Sequence, residues 1–214
     1  MKITDACVYP YPAGDSTINR LAFEAREYGY DSIVALDTPA AEIYGVTVLA
    51  GMYLAGSTLK EVHERARKAS VSGVVVSVQA GDNGFNRTVA GTKSVSLLRG
   101  IHKADRHAFD HVTAKIAADN IIAIDLDLSV LVAGRGHLRQ KAIRRYRDIV
   151  ILQHRFEFPI TISSSARSVL GLRPVREVAG LCSVIGMDLS DTELALAGIS
   201  RIMRQADAAV KVIP

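Results

Sequence analysis

Segments with the pattern of a β-strand alternate along the whole chain with segments that have the pattern of an amphipathic helix. Short runs such as residues 73–79 (GVVVSVQ) and 121–124 (IIAI) are apolar on both faces, as strands of a parallel sheet covered on both sides must be. Residues 17–28 instead place Ile18, Leu21, Ala22 and Ala25 on one helical face. This alternation predicts an α/β fold.

The number and spacing of these segments favour a barrel. We predict strands at residues 3–9, 32–36, 46–49, 73–79, 94–98, 121–128 and 159–163, and helices at residues 17–28, 58–69, 86–90, 110–119, 136–154, 173–185 and 190–204. No Gly-rich dinucleotide fingerprint follows the first strand, which argues against a doubly wound sheet. Since a full eight-unit barrel takes about 250 residues, we expect a trimmed TIM-barrel-like (β/α) barrel that forms a single domain over residues 1–214.

Positive charge is concentrated in one stretch of the chain, residues 135–176. Its two acidic residues, Asp148 and Glu157, are outnumbered by ten basic ones, so the stretch carries +8, whereas the remaining residues sum to −4. The basic residues are Arg135, Arg139, Lys141, Arg144, Arg145, Arg147, Arg155, Arg167, Arg173 and Arg176. Such segregation indicates a polyanionic partner, most often nucleic acid, although a solvated helix face has the same composition.

The predicted helix at residues 136–154 separates its apolar and basic residues onto different faces. Its apolar stripe is Leu138, Ala142, Tyr146, Ile149 and Val150, and its second face is Lys141, Arg144, Arg145 and Asp148. The preceding Gly-Arg-Gly at residues 134–136 suits a phosphate at the helix N-terminus. Aromatic residues make up only 6% of the chain and Trp is absent, so we expect RNA contacts mainly to phosphate and sugar instead of stacked bases.

Catalytic constellations are weak in this sequence. Asp125 and Asp127 are two apart in a strand and share a sheet face, where they could bind a metal or pair with neighbouring arginines. His102, His107 and His111 are close in sequence, but no H-E-x-x-H motif or Cys pair accompanies them. We therefore predict no catalytic residue, metal site or cofactor in this chain, and a metal-dependent barrel hydrolase that uses these aspartates and histidines remains the alternative.

The sequence also argues against a secreted protein and against a membrane protein. The N-terminal residues contain no apolar signal-peptide region, and the longest uncharged run, residues 43–59, is shorter than the roughly 20 apolar residues of a membrane span. Cys7 and Cys182 are predicted to be reduced core residues. We therefore expect a cytoplasmic protein without a membrane segment.

Several stretches together resemble one known family, that of protein component 3 of archaeal ribonuclease P, the homologue of the eukaryotic thirty-kilodalton subunit. They are residues 5–8 (DACV), 21–36 (LAFEAREYGYDSIVAL), 76–87 (VSVQAGDNGFNR), 110–128 (DHVTAKIAADNIIAIDLDL), 159–166 (PITISSSA) and 172–187 (LRPVREVAGLCSVIGM). The resemblance spans nearly the whole chain. Its most specific points are Asn86-Arg87, the helix end from Ala114-Lys115 to Asn120, and Gly186-Met187.

This resemblance implies a supporting role in a ribonucleoprotein. The RNA subunit of ribonuclease P supplies the active site that removes the 5′ leader of precursor tRNA, with magnesium expected on that RNA. The implied partners are the ribonuclease P RNA, precursor tRNA within the holoenzyme, protein component 2 and the other protein subunits. The implied RNA contacts are Arg87 and Lys115, to which we add Arg135, Arg139, Lys141, Arg144, Arg145, Arg147, Arg167, Arg173 and Arg176.

The chain departs at two places from the motifs of related barrels, at residues 5–8 and at Ser165. The barrel also resembles polymerase-and-histidinol-phosphatase metallohydrolases, whose first strand carries an H-x-H motif; here residues 5–8 read Asp-Ala-Cys-Val, so metal chemistry is not expected. Ser165 stands where many relatives are expected to have an acid. A protein scaffold whose basic face binds an acidic partner is the third interpretation left open by the sequence.

Overall fold

The computed structural model describes residues 2–210, and the side chains of residues 2–204. Met1 and residues 211–214, which the domain prediction includes, lie outside the described residues. Within the described range, seven parallel strands form the wall of a barrel: β1 (Thr4–Val8), β2 (Ser32–Leu36), β4 (Val46–Leu54), β5 (Val75–Gln79), β6 (Leu97–Arg99), β7 (Ala123–Asp127) and β8 (Ile160–Ser163). A short strand, β3 (Ala41–Ile43), pairs antiparallel with β4.

Helices cover the outside of this wall and one of its ends. They are α1 (Ile18–Glu27), α2 (Leu59–Val71), α3 (Asn83–Ala90), α4 (His111–Asn120), α5 (Ser129–Ala133), α6 (Gly136–Phe156), α7 (Val175–Ser183), α8 (Leu189–Leu196) and α9 (Gly198–Val210). Local sequence fixes where several of them begin, because Thr17, Thr58, Asp82 and Asp110 each cap the following helix with a side-chain oxygen. The predicted TIM-barrel-like fold is confirmed.

The barrel is nearly closed between its first and last strands. The backbones of this seam share one bridge, between Val8 and Ala166, and the Tyr9 N–H donates to the Ala166 carbonyl at 2.7 Å. Deeper in the seam, Asp5 Oδ1 accepts a hydrogen bond from the Ser164 N–H at 3.0 Å. A side chain thus joins the two strands where a backbone ladder is missing.

Alternate residues of the strands face the barrel interior and form layers. The first layer consists of apolar residues near the strand starts, Ala6, Val34, Val75, Leu97 and Ala123, which pack against Ile199 of α9. The C-terminal helix therefore covers the N-terminal end of the barrel. The intervening residues, such as Val76, Leu98 and Ile124, face outward and pack with the helices in the main core.

The structure differs from the sequence prediction in several places. Strand β3 and helix α5 were not predicted, since runs of three and five residues are too short for a periodic pattern. The helix predicted at 190–204 is divided into α8 and α9 at Gly198, where any Cβ would overlap the Ile160 carbonyl oxygen. Leu138, which we predicted as part of the buried stripe of this helix, is 60% exposed, because residues 135–140 at the start of α6 project into solvent. The buried stripe begins at Ala142.

The cysteine and membrane predictions can also be compared with the fold. Cys7 and Cys182 are buried free thiols, as predicted, and burial raises the pKa of Cys7 to about 12 and that of Cys182 to about 11. Across residues 2–210, each helix is too short or too polar to cross a bilayer.

Candidate nucleic-acid interface

A buried ion pair occupies the second layer of the barrel interior. Arg99, the last residue of β6, donates from Nε to Asp125 Oδ2 at 2.8 Å, and both side chains are almost fully buried. Asp125 also accepts from the hydroxyls of Thr161 at 3.0 Å and Ser163 at 2.7 Å. The remaining guanidinium nitrogens of Arg99 donate to Cys7 Sγ and to the hydroxyls of Ser163 and Ser165.

This network accounts for the charge of both partners. Burial raises the pKa of Asp125, while Arg99 and Ser163 oppose that rise by stabilising the carboxylate. Burial alone would lower the pKa of Arg99, but the facing Asp125 raises it well above its ordinary value. Ser165, where we expected an acid in relatives, places its hydroxyl 2.7 Å from the Arg99 guanidinium. Arg99 and Asp125 are thus satisfied by each other and by neighbouring side chains, and their network reaches the C-terminal ends of β6 and β8, where barrel enzymes present catalytic groups.

The two aspartates that the sequence offered as a metal-binding pair have separate structural roles. Asp127 Oδ1 accepts from the Ser129 N–H at 2.9 Å and the Ser129 hydroxyl at 2.6 Å, at the start of α5. Asp125 pairs with Arg99, which is the ion-pair alternative we considered from the sequence. In the part of the chain that the structure describes, no three His, Cys, Asp or Glu side chains gather as a metal site would require.

The three histidines of residues 102–111 do not converge. His102 is buried with Nδ1 2.8 Å from the Tyr146 hydroxyl, and burial lowers its pKa to about 4. His107 lies in the 3₁₀ turn Arg106–Ala108, and His111 begins α4; both are exposed. His107 and His111 would share a face only within one continuous helix, and Asp110, the cap of α4, separates them.

Helix α6 packs one basic residue against the loop at residues 101–108. Arg145 is only 9% exposed, and it donates to the carbonyl oxygens of Arg106 at 2.8 Å and Ala104 at 3.3 Å. Lys141 reaches the Lys103 carbonyl at 3.4 Å. The loop itself carries the exposed side chains of Lys103 and Arg106, which the sequence analysis did not single out.

Other basic residues of α6 point into solvent. Arg144 and Arg135 are exposed and make no hydrogen bond or ion pair with any residue that the structure describes. Arg139 donates to the carbonyls of Gly134 and Val132, and Arg147 to that of Val184, so their guanidinium groups are partly engaged. We use the name α6 basic surface for the exposed basic residues of this loop and of α6 with its N-cap, together with the partly exposed Lys141 that reaches the loop: Lys103, Arg106, Arg135, Arg144 and Lys141.

The second half of the basic stretch lies beyond β8 and contacts other elements. Arg167 stacks over the Tyr9 ring at 4.1 Å and donates to the Ala13 carbonyl at 2.7 Å. Arg173 donates to the carbonyls of Leu170 and Leu172, while Arg176 is exposed on α7. Residues 135–176 are therefore contiguous in sequence without forming one continuous contact network.

The two positions taken from the family resemblance have ion-pair partners. Arg87 of α3 pairs with Asp110 at 2.6 Å, and Lys115 pairs more loosely with Asp119 at 3.6 Å. Burial would raise the pKa of Asp110, but hydrogen bonds from Thr113 and Arg87 lower it well below its usual range. Arg87 thus connects α3 to the start of α4, whereas Lys115 remains exposed on the surface of α4.

These features define a class of protein: a parallel α/β barrel with an ion-paired interior and an arginine-rich outer helix. The sequence profile of the family RNase P subunit p30 matches residues 2–209, and the chain belongs to that family.

Individual relatives agree with this assignment. Ribonuclease P protein component 3 of Methanococcoides burtonii is 27% identical over 199 residues, covering 90% of this chain and 83% of the relative. The protein of the same name from Halorubrum lacusprofundi is 30% identical over 201 residues, covering 85% of this chain and 82% of the relative. The resemblance predicted from the motifs is therefore confirmed, as is the function of a ribonuclease P protein subunit.

Solved structures support the fold. A chain in a cryo-EM structure of archaeal ribonuclease P with mature tRNA superposes with a TM-score of 0.78 at 16% identity, covering 96% of this chain and 93% of that chain. A Xaa-Pro dipeptidase superposes with a TM-score of 0.62 at 10% identity, covering 96% of this chain and 76% of that chain. At these identities the similarity concerns the barrel alone.

Proposed function

We propose that this chain, a ribonuclease P subunit, supports RNA-catalysed removal of the 5′ leader from precursor tRNA without supplying a catalytic group itself. The observation that carries the proposal is the family match over residues 2–209. The ion pair between Arg99 and Asp125 supports the non-catalytic role, because its network occupies the C-terminal ends of β6 and β8, where a barrel enzyme would present catalytic groups. We further propose that the chain works in the cytoplasm and that magnesium for cleavage is bound by the RNA.

The partners follow from the same proposal. They are the ribonuclease P RNA, precursor tRNA within the holoenzyme, protein component 2 and the other protein subunits. A superposing chain belongs to an assembly described as archaeal ribonuclease P with mature tRNA, which supports an RNA-containing partner for this barrel.

The α6 basic surface is the main RNA contact in this proposal. Arg144 and Arg135 are exposed and unengaged in the described structure, and Lys103 and Arg106 lie on the loop that Arg145 holds against α6. Arginine matches phosphate oxygens with a planar pair of donors, so these side chains suit an RNA backbone. Arg145 contributes by positioning the loop, whereas Arg87 and Lys115 contribute at a separate surface on α3 and α4.

Two measurements on the purified full chain test this proposal. The chain should bind ribonuclease P RNA with an affinity that falls steeply as salt increases, because bound lysines and arginines release counterions from phosphates. Incubated alone with precursor tRNA and magnesium, manganese or zinc, it should leave the RNA intact. Cleavage by the chain alone would support the metal-dependent hydrolase, and weak RNA affinity even at low salt would support the protein scaffold.

A further inference from the structure

Two aromatic side chains meet on the surface at the side of the barrel where α1 packs against β3 and β4. Phe23 of α1 and Tyr44 of the β3–β4 turn form an edge-to-face pair with ring centroids 5.7 Å apart and an interplanar angle of 85°. Phe23 is 42% exposed and Tyr44 is 52% exposed. An edge-to-face pair of this kind leaves ring surface open to solvent.

The backbone holds Tyr44 in a conformation that a tyrosine rarely adopts. Tyr44 and Gly45 are the two residues of the hairpin loop, and their φ angles are +52° and +78°. Two-residue loops with positive φ at both positions normally carry Asn-Gly or Asp-Gly. A bulky residue with positive φ is uncommon, so the turn alone does not account for a tyrosine at this position.

A shallow groove of about 320 Å³ adjoins the aromatic pair, and polar groups form its other side. It is lined by Thr17, Asn19, Arg20, Phe23 and Tyr44, so its lining includes a cation and no carboxylate. The Arg20 guanidinium lies 5.8 Å from the Phe23 ring centroid. Arg20 also pairs with Glu24 at 3.6 Å, but an exposed pair of this type is weak and can exchange for a stronger anionic partner.

The size and chemistry of the groove fit a nucleotide better than a folded protein. A stable protein interface buries roughly 800 Å² on each partner and needs about 20–30 residues a side, whereas five residues line this groove. Aromatic rings beside an arginine are the combination that binds unpaired bases, the ring accepting the base face and the cation accepting a phosphate.

We propose that Phe23 and Tyr44 form a stacking site for one unpaired base of RNA, with Arg20 contacting the adjacent phosphate. This site rests on the proposed function, since it needs an RNA partner, and it adds a single-stranded contact to the phosphate contacts of the α6 basic surface. The low aromatic content of the chain predicted no stacking platform, but composition does not reveal that the fold brings two of the few aromatic residues together.

The test uses the full chain with substitutions that preserve the backbone. Tyr44→Asn replaces the ring with the residue that this turn prefers, and Phe23→Leu keeps an apolar side chain on α1. Leu189→Asn, an exposed position on α8, is the matched control. The probes are a single-stranded purine-rich RNA carrying one 2-aminopurine, and a blunt RNA duplex. Thermal melting of each variant checks that it folds.

Wild-type protein should quench 2-aminopurine fluorescence when it binds the single strand. The Phe23→Leu/Tyr44→Asn variant should lose this quenching and bind the single strand about tenfold or more weakly, with unchanged affinity for the duplex. Leu189→Asn should behave as wild type. If the double variant bound and quenched the single strand as the wild type does, the stacking site would be overturned and the proposed function would stand. The same holds if the double variant also lost binding to another protein subunit, since the aromatic pair would then be a protein contact. If the wild type bound neither RNA, the direct RNA contact in the proposed function would be overturned together with the stacking site.

Discussion

The guanidinium of Arg99 and the carboxylate of Asp125 are joined at 2.8 Å in the middle of the barrel, with side-chain exposures of only 4% and 0%. Arg99 ends β6 and Asp125 lies in the neighbouring β7, so the pair connects adjacent strands within the interior. A buried charge without its partner is strongly destabilising, which gives this pair a measurable role in stability.

Replacing Arg99 by Met should lower the free energy of unfolding by about 3–5 kcal/mol, because Asp125 is left as an uncompensated buried charge. Urea denaturation followed by circular dichroism measures this loss. The Arg99→Met/Asp125→Leu double variant should recover at least about 1 kcal/mol relative to the single variant, since it removes the orphaned carboxylate as well. Equal stability of Arg99→Met and wild type would show that the interior pair does not stabilise the fold.

Asp5 should make stability fall as pH rises through the mildly acidic range. Burial raises its pKa from 3.8 to about 6, and its Oδ2 has no hydrogen-bond partner in the described structure. The folded state therefore binds a proton on Asp5 more tightly than the unfolded state, and this contribution is lost as pH rises from about 4 to above 6. His102 acts in the opposite direction, because its pKa is lowered to about 4 and the folded state binds its proton less tightly.

Asp5→Asn isolates the contribution of this carboxyl. The amide oxygen can still accept from the Cys7 and Ser164 N–H groups, which Asp5 Oδ1 does now at 3.1 and 3.0 Å. Relative to wild type, the variant should gain roughly 2–3 kcal/mol of unfolding free energy between about pH 4 and pH 7.5. Urea titrations across that range test this, and a stability difference that is constant or shrinks with pH would contradict it.

Arg144 and Arg145 should behave differently although they are neighbours of equal charge. Arg144→Ala should leave stability unchanged and reduce the salt dependence of RNA binding by about one unit in the log–log slope, as expected for one lost phosphate contact. Arg145→Ala should cost about 1–3 kcal/mol of stability, because two loop carbonyls lose their donor. Binding isotherms at several salt concentrations and urea melts separate the two effects; a slope unaffected by Arg144→Ala would exclude that side chain as a contact.

Gly198 should tolerate no side chain, whereas another helical glycine should benefit from one. A Cβ at Gly198 would overlap the Ile160 carbonyl oxygen of β8, so Gly198→Ala should cost about 1–3 kcal/mol or more, as overpacking of a core does. Gly180 of α7 has open space where a Cβ would lie, and Gly180→Ala should stabilise by about 0.5–1 kcal/mol. Similar unfolding curves for the two variants would show that α9 does not pack closely on β8.

The barrel could be predicted because its strands and helices are long, periodic segments. Contacts between residues that are distant in sequence could not be predicted. The apolar runs of β5 and β7 and the stripes of α1 and α2 follow from local sequence. The bond from Ser164 to Asp5 joins residues 159 apart, and no local pattern indicates it. In the sequence, Arg99 is an ordinary basic residue at the end of a strand. Its hydrogen bond to Asp125 forms only because the fold places β6 beside β7.

The basic stretch shows the same limit for the candidate site. Composition identified α6, but successive helical residues point about 100° apart, so Arg144 faces solvent while Arg145 turns onto the 101–108 loop. Lys103 and Arg106 join the surface through that packing and not through any charge pattern of their own. The aromatic pair of Phe23 and Tyr44 depends likewise on a hairpin whose first strand has three residues.

Reconstitution of the holoenzyme tests the central claim most directly. The catalytic RNA and the other protein subunits are combined at low magnesium, and cleavage of precursor tRNA is followed with and without this chain. A large gain in cleavage on adding the chain, together with no cleavage by the chain alone, is the result we predict. Cleavage at the same rate in its absence, or cleavage of precursor tRNA by the isolated chain, would contradict its role as a non-catalytic supporting subunit.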